Sequence, residues 1–284
     1  MRRILGYTGN DSSLTRHVMA QIAADLAPAA EGESRSWGIG YEQESQVLVR
    51  KYPEAWQAVD LVSMATDLRT PAFVAFSSSE PERQRRSEYT EPFRMRSWLG
   101  VSVGTFAGVG AGQLGVPEGL GELARDAPMG QRVFMTFLGA LRQEGVSLHD
   151  PAPRVERLCA AMARTIVEIE AAGRRGGVEG SLDSALMLTN GRSLVVGSLG
   201  AEVRVLRFAG IEVEREVDVE VAGRPQRRRT RSWPHLRACV VATGCVPSPA
   251  AGWEELGPRE VLAVDEGWAV HKGPLDAWWH PPQR

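Results

Sequence analysis

The residues of this 284-residue chain that could do nucleophilic or metal chemistry are three cysteines, five histidines and a few hydroxyls near strand ends. Cys159, Cys239 and Cys245 are odd in number and have no paired ligand spacing, which fits a reducing environment better than a disulfide framework or a metal site. His17, His149, His235, His271 and His280 lie apart from one another and from Ser77, Ser78, Ser102 and Thr105, so none of these hydroxyls has a histidine base beside it in sequence. The glycine-rich stretch from Ala107 to Gly121 lacks the lysine and Ser/Thr that complete a phosphate-binding loop. The run from Arg224 to Arg231 is basic, but a net charge of −2 and the lack of a nucleic-acid-binding motif weigh against a nucleic-acid partner. No cofactor or metal is expected.

The elements that must position these residues can be read from periodicity. Ile4, Leu5 and Tyr7 belong to an apolar strand that ends near Asn10, and Asp11 or Ser12 is placed to cap a helix with Leu14, Val18, Ile22 and Leu26 on one face. Two strands, 36–41 and 47–53, flank a polar turn. Trp56, Val59, Val62 and Ala65 have helical spacing over 54–67, ahead of the apolar strand 72–76. A strand through Trp98 to Val103 precedes two amphipathic helices, 131–144 and 153–172, expected to pack as an antiparallel pair on one face of a sheet. Asn190-Gly191 is a strong hairpin signal between strands 181–189 and 192–198. A strand at 204–208, an acidic alternating segment 211–221, and an apolar strand 238–245 complete the pattern. The acidic segment beside the basic run reads as a possible charge-paired hairpin. Cys159 and Cys239 fall on apolar faces and are expected in the core.

Several of these stretches together resemble the class II glutamine amidotransferases of the N-terminal-nucleophile hydrolase superfamily. The resemblance is carried by Arg3-Ile4-Leu5-Gly6-Tyr7, by Trp37-Gly38-Ile39-Gly40-Tyr41, and by Thr90, Pro92 and Phe93 where the family has an Asn-Thr-His-Pro-Phe-like turn. It continues through Gly104-Thr105, in register with a His-Asn-Gly-Thr-like motif, the hairpin of Leu182, Asp183 and Ala185 with Asn190-Gly191, and the closing segment around Trp253 to Val264. It implies an α+β chain with the four-layered αββα sandwich, residues 1–265 forming the amidotransferase-like domain and 266–284 a Trp-rich tail.

What the resemblance implies for the site is mostly loss. Arg2 takes the place of the family's cysteine nucleophile, and its bulk should also discourage removal of Met1. Ser78 stands for the arginine that pairs with the substrate carboxylate, Val103 for the oxyanion-hole asparagine, and Met129 for the aspartate that holds the substrate ammonium, with Asp126 a weak substitute. Gly104 keeps its oxyanion-hole N–H, a donor class worth about 3 kcal/mol of barrier when fully formed. The degenerate positions Arg2, Ser78, Val103, Gly104 and Met129 therefore imply a catalytically inactive, protein-binding or scaffold protein that does not bind glutamine. The alternatives are an amidohydrolase with altered chemistry using Ser77, Ser78, Ser102 or Thr105, and a small-molecule sensor built on the cleft around Phe76, Val103 and Met129. Trp268, Trp278 and Trp279 either cap the domain or dock a protein partner. No apolar stretch approaches the roughly 18 residues of a membrane helix and no leader is evident, so a cytoplasmic location is expected.

Overall fold

The computed structural model describes residues 2–26, 36–54, 59–79, 86–106, 108–110, 114, 124, 126–177, 182–215, 229–244 and 252–279. In chain order these form β1 (Arg2–Gly9), α1 (Thr15–Ile22), β2 (Ser36–Gln43), β3 (Gln46–Tyr52), α2 (Leu61–Thr66), β4 (Ala72–Ser78), β5 (Phe93–Met95) and β6 (Trp98–Gly104). They continue with α3 (Met129–Gln143), α4 (Val155–Arg175), β7 (Ser184–Thr189), β8 (Leu194–Ser198), β9 (Val203–Arg215), β10 (Arg229–Thr243), β11 (Glu254–Leu256), β12 (Glu260–Val264), β13 (Val270–Pro274) and α5 (Leu275–Trp278).

The chain is mixed α+β, with two antiparallel sheets ordered β11-β9-β10-β1-β4-β2-β3 and β13-β12-β8-β7-β6-β5. β1 is central in the first sheet, antiparallel to both β10 and β4. Its alternation explains why its buried stretch from Ile4 to Tyr7 is apolar. Ile4 points into a cluster shared with Val101, Met187 and Val196 of the second sheet, while Leu5 and Tyr7 point into a cluster with Val18 and Ile22 of α1 and Val62 of α2. β4 repeats the pattern, with Val74 and Phe76 facing the second sheet and Phe73 and Ala75 facing the helices. Burying each such side chain contributes about 1.5–3 kcal/mol. Gly6 is required where β1 faces β7 of the second sheet, because a Cβ there would fall 2.1 Å from Met187 Sδ.

On the far face of the second sheet, α3 and α4 pack on each other and on β6, β7, β8 and β12 through Phe134, Phe137, Met162 and Ile166. Cys159 is in that cluster and Cys239 in the inter-sheet one, and burial pushes both thiols up to about 12. Cys245 lies outside the described residues. The hairpin expected at Asn190-Gly191 joins β7 to β8: Asn190 Oδ1 accepts from Arg192 N and Ser193 N, and Gly191 has φ +93.

Three elements differ from the sequence reading. The helix expected over 54–67 is α2 alone among the described residues, because Asp60 caps it by accepting from Val62 N at 3.0 Å; Trp56 lies outside them. The strand expected at 204–208 extends to Arg215, pairing with β10 through an irregularity between Trp233 and Arg237. The basic run begins that partner strand, with Thr230 opposite Glu214 and Arg231 opposite Val213; residues 216–228 are outside the described set. The stretch expected as a tail supplies β13, paired along β12, and α5.

Candidate functional site

Arg2 and Ser78 are direct register partners at one end of the first sheet, and Ser36 pairs with Ser78 from the other side. Both share the strand face that carries Ile4 and Phe76, so they face the inter-sheet layer, and the Arg2 guanidinium lies over the Phe76 ring, 4.9 Å from its centroid. Val103 belongs to the same inter-sheet cluster from β6. The Gly104 end of β6 is joined to the Arg2 end of β1 by short steps. Ser184, opposite Gly104, accepts from Leu199 N and Ala201 N; Val203 then pairs with Thr243, whose hydroxyl accepts from Ile4 N at 3.1 Å. Arg2, Ser78, Val103 and Gly104 are thus gathered at one mouth of the layer.

Gly104 has φ +96, and a Cβ there would lie 1.8 Å from Asp183 O, so tight turn geometry accounts for the glycine. Met129 is elsewhere. It opens α3 and packs, partly buried, on the cluster behind the second sheet. Asp126 is exposed. Arg86 pairs with Glu88 at 3.3 Å with both side chains about two-thirds exposed (65% and 64%), a solvated pair worth little. Arg83, Arg85 and all but a few residues of the 107–121 stretch lie outside the described residues.

The sequence reading missed a buried polar pair. Glu91 is 1% exposed, and its carboxylate accepts from Ser102 Oγ at 2.6 Å and from Ser102 N at 2.9 Å. Its Oε1 and Ser102 Oγ lie against Gly130 of α3, where a Cβ would come within 2.4 and 2.9 Å of them. On the other side, Gly38 of β2 leaves room for the backbone carbonyl of Glu91. Lys51 of β3 is the nearby cation: burial lowers its pKa, and the charge on Glu91 opposes that shift. Its ammonium sits 5.5 Å from the Phe93 ring centroid. A signal was present in the sequence, since Glu91 and Ser102 fall at the histidine positions of the two motifs that the sequence resembles. Ser102 faces α3 rather than the mouth. The cavity it lines with Gly100, Gly130 and Phe134 is only about 10 Å³, far below the roughly 300 Å³ of a small-molecule site.

The remaining candidates are dispersed. His17 stacks on Trp233, His235 lies 3.5 Å from Asp11, and His271 Nε2 lies 2.9 Å from Asp265 Oδ2 on the β12–β13 hairpin. His280 is outside the described residues. Among the described residues no group of three or more His, Cys, Asp or Glu could hold a metal ion. No helix is long and apolar enough to cross a membrane. Trp268 packs on the inter-sheet cluster with its indole N–H buried; Trp278 and Trp279 pack on the α3–α4 cluster, Trp278 donating to Gly273 O at 3.2 Å and Trp279 lying under Arg164.

No family model matches the sequence, and no curated protein matches it. Solved structures do match. A glutamine aminotransferase class-II domain protein from Silicibacter pomeroyi superposes with a TM-score of 0.53 at 12% identity, over 96% of this chain and 99% of that one. A predicted glutamine amidotransferase from Pseudomonas aeruginosa PA01 superposes with a TM-score of 0.54 at 14% identity, over 94% and 98%. At these identities the likeness is one of fold, and the chain has the fold of class II glutamine amidotransferase-like proteins.

Proposed function

We propose that this protein is a non-catalytic relative of class II glutamine amidotransferases, a four-layered αββα sandwich that acts as a protein-binding or scaffold module. The observation that carries the reading is Arg2. It stands where the resemblance places the cysteine nucleophile, and its guanidinium covers Phe76 at the mouth of the inter-sheet layer. A guanidinium cannot attack a carbonyl. Beside it, Ser78 offers no fixed charge for a substrate carboxylate and Val103 no side-chain donor for an oxyanion, so glutamine loses both its anchor and its transition-state partner. The hydroxyl chemistry that would compete with this reading is disfavoured by the placement of Ser102, whose carboxylate partner faces α3 and a cavity too small for substrate.

The test is glutamate release from glutamine, measured for the native chain and for Arg2→Cys, with glutamine binding followed by calorimetry. Neither protein should release glutamate above the uncatalysed rate, and neither should bind glutamine, because the cysteine would return to a mouth lacking the clamp and the oxyanion hole. Robust glutaminase activity in Arg2→Cys, or any in the native chain, would overturn the proposal.

A further inference from the structure

At the end of the molecule formed by the β5–β6 turn and the connection from α3 to α4 runs an open groove of about 770 Å³. Its floor is apolar, made by Met95, Val146 and Leu148, and its rims carry Arg96, Arg142 and His149. Among the described residues no acidic residue lines it. The carboxylates that flank its lining in sequence are engaged elsewhere: Glu144 pairs with Arg164 at 3.0 Å, and Asp150 Oδ1 accepts from Ala152 N. Neither Arg96 nor Arg142 has a carboxylate partner among the described residues. Arg94 flanks the turn with its Nε bonded to Arg96 O, and Arg157 closes the far end by donating to Gly145 O. Positive charge is therefore concentrated on one groove of a chain whose net charge is −2.

We infer that this groove binds an acidic peptide segment of a partner protein, an apolar side chain seated on Met95, Val146 and Leu148 with flanking carboxylates on Arg96 and Arg142. Charge complementarity selects the partner's sign, because two exposed guanidiniums without a carboxylate partner among the described residues favour carboxylates, which they bind in a bidentate fork. The shape selects a peptide over a metabolite, since the groove is open along its length and would leave a small anion largely in water. Met95 adds an adaptable surface suited to an aliphatic or aromatic anchor. The inference rests on the binding role proposed above, but not on the loss of catalysis.

The experiment uses the full chain and the fluorescein-labelled hexapeptide Glu-Asp-Leu-Leu-Glu-Asp, followed by anisotropy. Saturable binding is expected, weakening at least about tenfold in the double variant Arg96→Asn/Arg142→Gln and weakening as salt is raised from about 0.05 to 0.3 M. Asparagine is used at 96 because that residue has φ +56, a conformation asparagine tolerates. Both side chains are exposed, so the variant should melt with the native protein. Replacing the central leucines by serine should abolish binding, and Lys-Lys-Leu-Leu-Lys-Lys should not bind. No saturable binding of the acidic peptide, or binding indifferent to the double variant, would overturn the inference. A partner still held by the double variant would leave the binding role standing on another surface, whereas glutamate release would sink the non-catalytic reading whatever the peptide does.

Discussion

Glu91 is the residue whose replacement should cost most for its size. Its carboxylate satisfies two donors of Ser102 at 2.6 and 2.9 Å, and both residues are almost wholly buried. In Glu91→Ala the Ser102 N–H loses its acceptor inside the protein, a penalty of about 1–3 kcal/mol. The Ser102 hydroxyl loses the same acceptor, and the two orphaned donors together should cost about 2–4 kcal/mol. At about 2–4 °C per kcal/mol for a chain of this size, Glu91→Ala should melt about 4–16 °C below the native protein. Glu91→Gln separates hydrogen bonding from charge. Its Oε1 can accept from Ser102 N while Nε2 donates to Ser102 Oγ, so both contacts survive and the cost falls to about 1–2 kcal/mol. Ser102→Ala removes only the hydroxyl contact and should also cost about 1–2 kcal/mol. Urea denaturation followed by circular dichroism, with calorimetry for the melting point, measures all three. The reasoning is refuted if Glu91→Ala lies within about 1 kcal/mol of native, or if glutamine does no better than alanine there.

The other expectations are narrower. Gly38→Ala puts a Cβ 2.0 Å from Glu91 O, and because that atom is backbone the turn must move, so about 1–3 kcal/mol should be lost in the same denaturation assay. Cys159 and Cys239, with pKa values raised to about 12 by burial, should be untouched by iodoacetamide at neutral pH and label only in denaturant, read by mass spectrometry of tryptic peptides. For Asp265, burial raises the pKa, but the His271 ring and the N–H groups of Ala269 and Gly267 more than reverse this and leave it below the usual 3.8. A lowered folded pKa stabilises above the unfolded value and loses that contribution as pH falls through the folded one. The stability gap between native and Asp265→Asn should therefore be full well above the ordinary carboxylate value of 3.8 and shrink as pH falls below it, in urea melts across that range.

Much of the scaffold was legible because its burial is regular. Residues 4–7 of β1 and 72–76 of β4 are buried on both faces and read as apolar runs, and α3 and α4 show continuous apolar stripes. What the sequence hid depends on contacts between distant residues. The β9–β10 ribbon is rich in charge and contains Gly210, at φ +99, beside Pro234, features that look like a loop when the partner strand is unknown. Glu91 looked like one more acid in a polar turn, because only the meeting of Gly38, Ser102 and Gly130 makes its surroundings a buried polar site. Of the positions the resemblance singles out, Arg2, Ser78, Val103 and Gly104 lie at or beside strand ends, where β1 begins and β4 and β6 end at one mouth. Met129 does not join them, because a residue opening a helix after a long glycine-rich stretch can fall on either side of a sheet.

A sheet pair can keep its fold while its mouth changes because the two rest on different atoms. The inter-sheet distance is set by Gly6 against Met187 and Gly40 against Leu99, well inside the layer. At the rim, the backbone register of Arg2 with Ser78 is made by main-chain groups and is indifferent to which side chains stand there. Substitution at the rim therefore costs little folding energy, and Arg2 can settle its charge over Phe76 without disturbing a strand. The pair behind the sheet obeys the opposite rule. Glu91 and Ser102 are enclosed, so a change at one place alters what the other must satisfy, and their substitutions should be energetically coupled.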